Sequence, residues 1–201
     1  MVSLLSYSRG VPLLTTPALP DGALSARAQP GIDGDRLALR PWQETDVASV
    51  VTAFADPAIQ RWHCRSLTTA EARQWIAQWQ SRWQAETDAC WAVTEDGKVA
   101  GQIGLRHIDL AEGLAQISYW VLPESRGHRL APRALTALTD WAFTDLGLHR
   151  LELSHSTLNT PSCRVATRCG YLLEGTKRSE ARHADGWHDM HSHARLSTDQ
   201  P

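Results

Sequence analysis

The 201-residue sequence contains no apolar run approaching the ~20 residues needed to cross a bilayer, so no membrane partner is expected. Its first residues lack a sustained apolar stretch. Leu4 and Leu5 give way at once to Ser6, Tyr7, Ser8 and Arg9, a poor secretory signal. None of the four cysteines, Cys64, Cys90, Cys163 and Cys169, stands in a CxxC pair. Reduced thiols in a cytoplasmic protein are the simple reading. An excess of charge is missing too: a net charge of -2 argues against nucleic acid as a main partner. No internal repeat or low-complexity segment occurs. Tryptophan, by contrast, is plentiful. Of nine, five (Trp62, Trp75, Trp79, Trp83 and Trp91) crowd one short region. Apolar residues make up 42%, enough for one domain to bury a sizeable core.

Residues 1 to 33 carry Pro12, Pro17, Pro20 and Pro30 and read as an irregular arm, with a short strand expected near Ala23 to Ala28. Residues 34 to 201 read as one domain. Arg36 to Arg40 alternates apolar and polar positions as a strand does, and Pro41 stops it. Thr45 or Asp46 caps a helix running to about Ala55, where Asp56-Pro57 breaks it. Thr68 and Glu71 form a capping box. It opens a helix with Trp75, Ile76, Trp79 and Trp83 along one face.

From Cys90 the period changes. Cys90 to Thr94 and Val99 to Ile108 flank a hairpin signal, Glu95 to Lys98, and Ala111 to Gly113 turns the chain into a third strand, Ala115 to Leu122. A helix follows from Leu130 to about Leu146, with Leu130, Ala134, Leu138, Trp141 and Ala142 on its apolar face. Pro132 fits its first turn and Gly147 ends it. A strand at Arg150 to Ser154, a short helix from Asn159 to Cys169, and strands at Tyr171 to Glu174 and about Asp189 to Leu196 complete an α+β order. The helix from Leu130 crosses between two strands, which should therefore be parallel.

One loop stands out. Between Leu122 and Leu130, a polar segment with Arg126, Gly127, His128 and Arg129 joins a strand to a helix. Free backbone N–H groups and the helix dipole converge there, and two arginines add positive charge. The natural guest is a phosphate or pyrophosphate.

Five stretches, in this order and at these spacings, resemble the GNAT superfamily of acyl-CoA-dependent N-acyltransferases, and within it the RimJ/RimL branch of ribosomal-protein N-terminal acetyltransferases. They are Leu37 to Trp42, Ile117 to Val121, Arg126 to Ala131, Asn159 to Ser162 and Gly170 to Gly175. The family's pyrophosphate loop reads Q/R-x-x-G-x-G/A. Arg126 and Ala131 match it, and Arg129 stands at the central glycine. The resemblance implies a mixed, mostly antiparallel central sheet with a splayed parallel strand pair and helices on both faces. It implies acetyl-CoA as cosubstrate. Backbone groups of Trp120, Val121 and Leu122 would bond the pantetheine arm. The N–H groups of Arg126, Gly127, His128, Arg129, Leu130 and Ala131 would hold the pyrophosphate. Asn159 would contact the pantetheine, and Ser162 would lie near the thioester sulfur.

Direct attack of an amine on a thioester needs a neutral amine, a donor for the oxyanion and a proton for the departing thiolate. Val121 N–H suits the oxyanion and Ser162 the thiolate. Glu174 and Glu180 are the candidate bases; the resemblance would place a catalytic glutamate at Ala181, one residue beyond Glu180. Trp62, Trp75, Trp79 and Tyr119 are candidate walls of an acceptor pocket. The acceptor is either a protein N-terminus or a small amine such as an antibiotic. A catalytically silent CoA-binding or regulatory module and a succinyl-CoA-type donor are the alternatives. His183, His188, His191 and His193 read as a polar strand exterior, so no metal is expected. The tryptophan-bearing helix or the arm offers a surface for a homodimer.

Overall fold

A computed structural model describes residues 14–199. The expectations for residues 1–13, with Pro12 and the Leu4-Leu5 reading, lie outside the described residues.

The strands are β1 (Ile32–Gly34), β2 (Leu37–Pro41), β3 (Ala89–Glu95), β4 (Lys98–Asp109), β5 (Leu114–Val121), β6 (Arg150–Ser156), β7 (Leu172–His183) and β8 (Gly186–Leu196). The helices are α1 (Val47–Ala55), α2 (Pro57–His63), α3 (Thr69–Gln84), α4 (Leu130–Trp141) and α5 (Thr160–Arg168). One sheet runs in the order β1-β2-β3-β4-β5-β6-β8-β7. Every neighbouring pair is antiparallel except β5 and β6. Those two are paired in parallel only from Leu114 to Gln116 against Arg150 to Glu152, and beyond that they part. The expected meander, parallel pair and splay are all present.

Two cores sit on opposite faces of the sheet. β3 shows why: Trp91 and Val93 face one core, Cys90 and Ala92 the other, so the strand is apolar throughout. α4 lays Leu130, Ala134, Leu135 and Leu138 on the first face. α1, α2 and α3 cover the second with Phe54, Ile59, Trp75 and Trp79. The Thr68 box forms as expected: the Thr68 hydroxyl accepts the Glu71 N–H, and the Glu71 carboxylate accepts the Thr68 N–H at 2.8 Å. The apolar face of α3 points into the protein and is not exposed.

Four local expectations are corrected. Ala23 to Ala28 is a series of turns, because the Glu86 carboxylate accepts the N–H groups of Gly22, Leu24 and Ser25 at 2.7 to 2.9 Å and holds the segment in tight curvature. Within the segment expected as an arm, Leu19, Leu24 and Ile32 are buried, and Ile32–Gly34 forms the edge strand β1. Asp56-Pro57 ends α1 but also starts α2: the Asp56 carboxylate accepts the N–H groups of Ala58 and Ile59, and Pro57 fills a first-turn position that lacks no bond. β7 continues nine residues past Glu174, to His183, in a stretch that is almost wholly exposed and so has no apolar alternation to announce it.

Candidate active site

Where β5 and β6 part, a cleft of about 750 Å³ opens between α2 on one side and α4 and α5 on the other. The Leu122 N–H donates to Ala100 O in β4, at 2.9 Å. Alternation along the strand turns the backbone groups of Tyr119 and Val121 to the opposite, open edge. Two side chains already use that edge: His63 Nε2 donates to Tyr119 O at 3.2 Å, and Arg126 Nε donates to Val121 O at 3.2 Å. The Val121 N–H is on the same open edge.

At one end of the cleft lies the turn that enters α4. Gly127 has φ 84° and Arg129 φ 57°, both left-handed. Arg129 thus adopts the conformation that a glycine takes without strain. The first helical bond runs from Arg133 N–H to Arg129 O, so the N–H groups of Leu130 and Ala131 have no helical partner. Arg126, Gly127, Arg129, Leu130 and Ala131 all line the cleft. The Arg126 guanidinium also reaches Asp56 at the start of α2, at 2.9 Å, and so ties the two walls together. His128 is exposed outside the lining, and Leu122 is buried in the core behind it.

At the floor, the Tyr119 hydroxyl and Ser162 Oγ are 2.8 Å apart. Burial pushes the Tyr119 hydroxyl up to about 12, against the opposing effect of its bond to Ser162. Asn159 Oδ1 accepts the Ser162 N–H at 3.2 Å, so Asn159 caps α5 and fixes the serine, while its amide NH2 takes no part in that cap. Both residues line the cleft, as do Tyr119, Trp120 and Val121.

The candidate walls divide. Trp62 and Tyr119 line the cleft. Trp75 and Trp79 do not: they are 6% and 3% exposed and pack edge-to-face at 5.2 Å inside the second core. The candidate bases are likewise outside it. Arg150 grips the exposed Glu174 carboxylate with both terminal nitrogens and holds its pKa below the usual range. Glu180 is exposed and paired with Lys177 at 2.8 Å.

The cleft holds instead an imidazole that the sequence did not advertise. His63 ends α2, a helix hidden behind the Asp56-Pro57 break; a capping reading of Asp56 would have exposed it. Burial lowers the His63 pKa to about 4, so the ring is neutral at pH 7. With Nε2–H donating to Tyr119 O, the lone pair is on Nδ1.

The four C-terminal histidines also separate. His183 stacks on His188 at 4.2 Å near the cleft mouth. His191 and His193 turn inward and meet His155 and Cys163, with one ligand atom of each within 4.8 Å of the others. His155 lines the cleft as well.

The chain therefore brings a turn with N–H groups that lack a helical partner, an open strand edge, a half-buried hydroxyl pair and a neutral imidazole to one cleft. Comparison with known proteins agrees in fold. RimJ of Mycobacterium smegmatis, solved in complex with CoA-disulfide, superposes with a TM-score of 0.79 over 93% of this chain and 92% of that one, at 22% identity. Among sequences, YdaF of Bacillus subtilis (strain 168), whose name places it with ribosomal N-acetyltransferases, is 32% identical over 93 residues, spanning 46% of this chain and half of that one. The uncharacterized N-acetyltransferase p20 of Bacillus licheniformis is 29% identical over 72% of this chain and 83% of its own length. A family model described as an acetyltransferase (GNAT) domain matches residues 36–172, well over half of the sequence, and the chain belongs to that family.

Proposed function

We propose that the protein transfers an acyl group, acetyl in the simplest case, from acetyl-CoA to a primary amine by direct attack within this cleft. One observation carries the reading: a single open edge of β5 links the unsatisfied N–H groups at the start of α4 to the Tyr119–Ser162 pair. The turn from Arg126 to Ala131 would hold the pyrophosphate, and its charge and dipole suit that anion. The free edge at Val121 would pair with the pantetheine amides as an added strand does, with Asn159 beside it.

Each chemical need then has a residue. The Val121 N–H donates to the oxyanion. The Ser162 hydroxyl gives its proton to the departing thiolate, and Tyr119, kept protonated by burial, donates to Ser162 in turn. His63 Nδ1, uncharged at pH 7, accepts a hydrogen bond from the amine in its neutral form, directly or through water, where Glu174 or Glu180 was expected to act. Trp62 lines the side from which the amine would enter. The acceptor is a protein N-terminus or a small amine, and the four free cysteines suit a reducing, cytoplasmic setting.

Calorimetric titration with acetyl-CoA, followed by thiol release across an amine panel, tests this. Micromolar or tighter binding, with turnover that Ser162→Ala sharply reduces, is the expected result. Binding with no turnover on any amine would favour a regulatory CoA-binding module, and faster turnover with succinyl-CoA would change the donor. Absence of CoA binding overturns the reading.

A further inference from the structure

Behind the cleft floor, β6 and β8 pair His155 with His191 and Leu153 with His193. The three imidazoles therefore project from one face of two adjacent strands. α5 crosses that face and adds Cys163, whose Sγ is 3.9 Å from His193 Nε2. We propose that His155, Cys163, His191 and His193 form a zinc site.

Two kinds of evidence point to a ligand. His155 Nε2 and His191 Nδ1 are buried and have no hydrogen-bond partner, although His155 is only 5% exposed. Unlike the unpartnered ring N–H groups of Trp79 and Trp120, which lie in an apolar core, these two atoms belong to one cluster of metal-ligating side chains. In addition, two rings are held from behind. His155 Nδ1–H donates to Ser156 O at 2.8 Å, and His193 Nδ1–H donates to Tyr171 O at 3.1 Å. Each bond fixes the tautomer that leaves an Nε2 lone pair, the arrangement that orients imidazoles toward a metal. Among themselves the four groups make one contact, Cys163 Sγ to His193 Nε2, and leave His155 Nε2 and His191 Nδ1 without any. His155 and His193 present acceptors, and the nearest contact to the thiol is long and weak.

The chemistry of the donors selects the ion. Three imidazoles and one thiol exclude magnesium and calcium, which need oxygen. Four protein donors of nitrogen and sulfur suit tetrahedral Zn²⁺ in a closed, structural site. Binding would release the Cys163 thiol proton to solvent and leave a site of net charge +1. The ion would clamp α5 to the β6–β8 pair and so fix the position of Ser162, the neighbour of Cys163. This inference does not depend on the acyl-transfer reading.

The test uses the full chain without a polyhistidine tag, stripped of metal under reducing conditions. Zinc added back should remain at one per chain through gel filtration and raise the melting temperature. Cobalt in its place should give tetrahedral visible bands and a near-ultraviolet thiolate-to-cobalt charge-transfer band. That band should survive Cys64→Ser and vanish in Cys163→Ser. His191→Gln should weaken zinc binding at least as much as the loss of an outer supporting group does, about 10–100-fold. The proposal is overturned if no zinc is retained, if another metal is retained in preference to zinc, if the cobalt spectrum lacks the charge-transfer band, or if Cys163→Ser and His191→Gln bind zinc as the wild type does. Circular dichroism checks that the variants fold, and the wild-type cobalt spectrum stands without them.

Discussion

Two ring-rich regions flank the splayed strands, and they use their rings in opposite ways. On the β5 side, Trp42, Phe54, Trp75, Trp79 and Trp120 fill volume. They meet edge-to-face or tilted at 5.2 to 6.1 Å, and Trp79 Nε1 and Trp120 Nε1 stay buried with no partner. Their positions are fixed by shape. On the β6 side, His155, His191 and His193 contribute less apolar area, and carbonyl acceptors set the orientation of two of the rings. Truncation should therefore damage stability on the first side. Loss of a single lone pair should be felt on the second.

The largest effect is expected from Trp79→Ala. The ring is 3% exposed, and Arg82 and Arg106 lie over its faces at 5.2 and 4.3 Å. Removing it should cost about 3–5 kcal/mol in denaturant unfolding. A loss under about 1 kcal/mol, with a changed acceptor KM, would return Trp79 to the pocket wall and break the contrast. Next comes Ser162→Ala. A proton donor to a leaving group contributes roughly 10²–10⁴-fold, so kcat should fall by about 10² or more while CoA binding changes little. Asn159→Ala removes the α5 cap along with any pantetheine contact, so an equal fall in kcat with CoA binding unchanged would mean that Ser162 acts through position alone.

What the sequence disclosed follows the same division. The α3 face was legible because Trp75, Ile76, Trp79 and Trp83 repeat at helical spacing behind a Thr68–Glu71 cap. The hairpin of β3 and β4 was legible from Asp96-Gly97. The entry to α4 and the start of the short helix at Asn159 were legible from local chemistry. The histidine cluster was not. Its members come from three elements, and only the register of β6 on β8 and the path of α5 bring them together. His63 was missed for a simpler reason: Asp56-Pro57 signals an end and a beginning equally well. Glu174 and Glu180 looked like bases because a carboxylate's partner cannot be read from a strand pattern, and Arg150 and Lys177 turn out to hold them.

His63 sharpens the comparison at the boundary between the two regions, where a histidine packs against the aromatic side, 6.3 Å from Phe54. Its folded pKa of about 4 lies below the ordinary value of 6.5. The unfolded chain therefore binds its proton first as pH falls. The stability contributed by the neutral ring is complete above about 6.5 and is lost as pH falls toward 4. Allowing for the ring's partial contact with solvent in the cleft, the loss should be about 1–2 kcal/mol. His63→Gln should flatten that part of the stability profile and slow turnover above it. An unchanged profile would show that the ring protonates as freely folded as unfolded, and would remove it as the neutral acceptor.

The smallest effect concerns Arg129, which belongs to neither region. Its left-handed backbone costs about 1–2 kcal/mol relative to a residue without Cβ. Arg129→Gly should recover at most about 1 kcal/mol, because glycine also gains freedom in the unfolded chain. Arg129→Ala keeps the strain and removes the charge, so the pair separates backbone from side chain. If the N–H groups of Leu130 and Ala131 hold the anion, Arg129→Gly should bind CoA as well as the wild type or better, and Arg129→Ala nearly as well. If the guanidinium grips the pyrophosphate, both should bind more weakly, and the loss should shrink as salt is raised, since an exposed charge is screened within roughly 10 Å at 0.1 M. The second result would mean that this chain has exchanged a glycine's conformational ease for a charge, at a turn whose backbone N–H groups were expected to hold the anion.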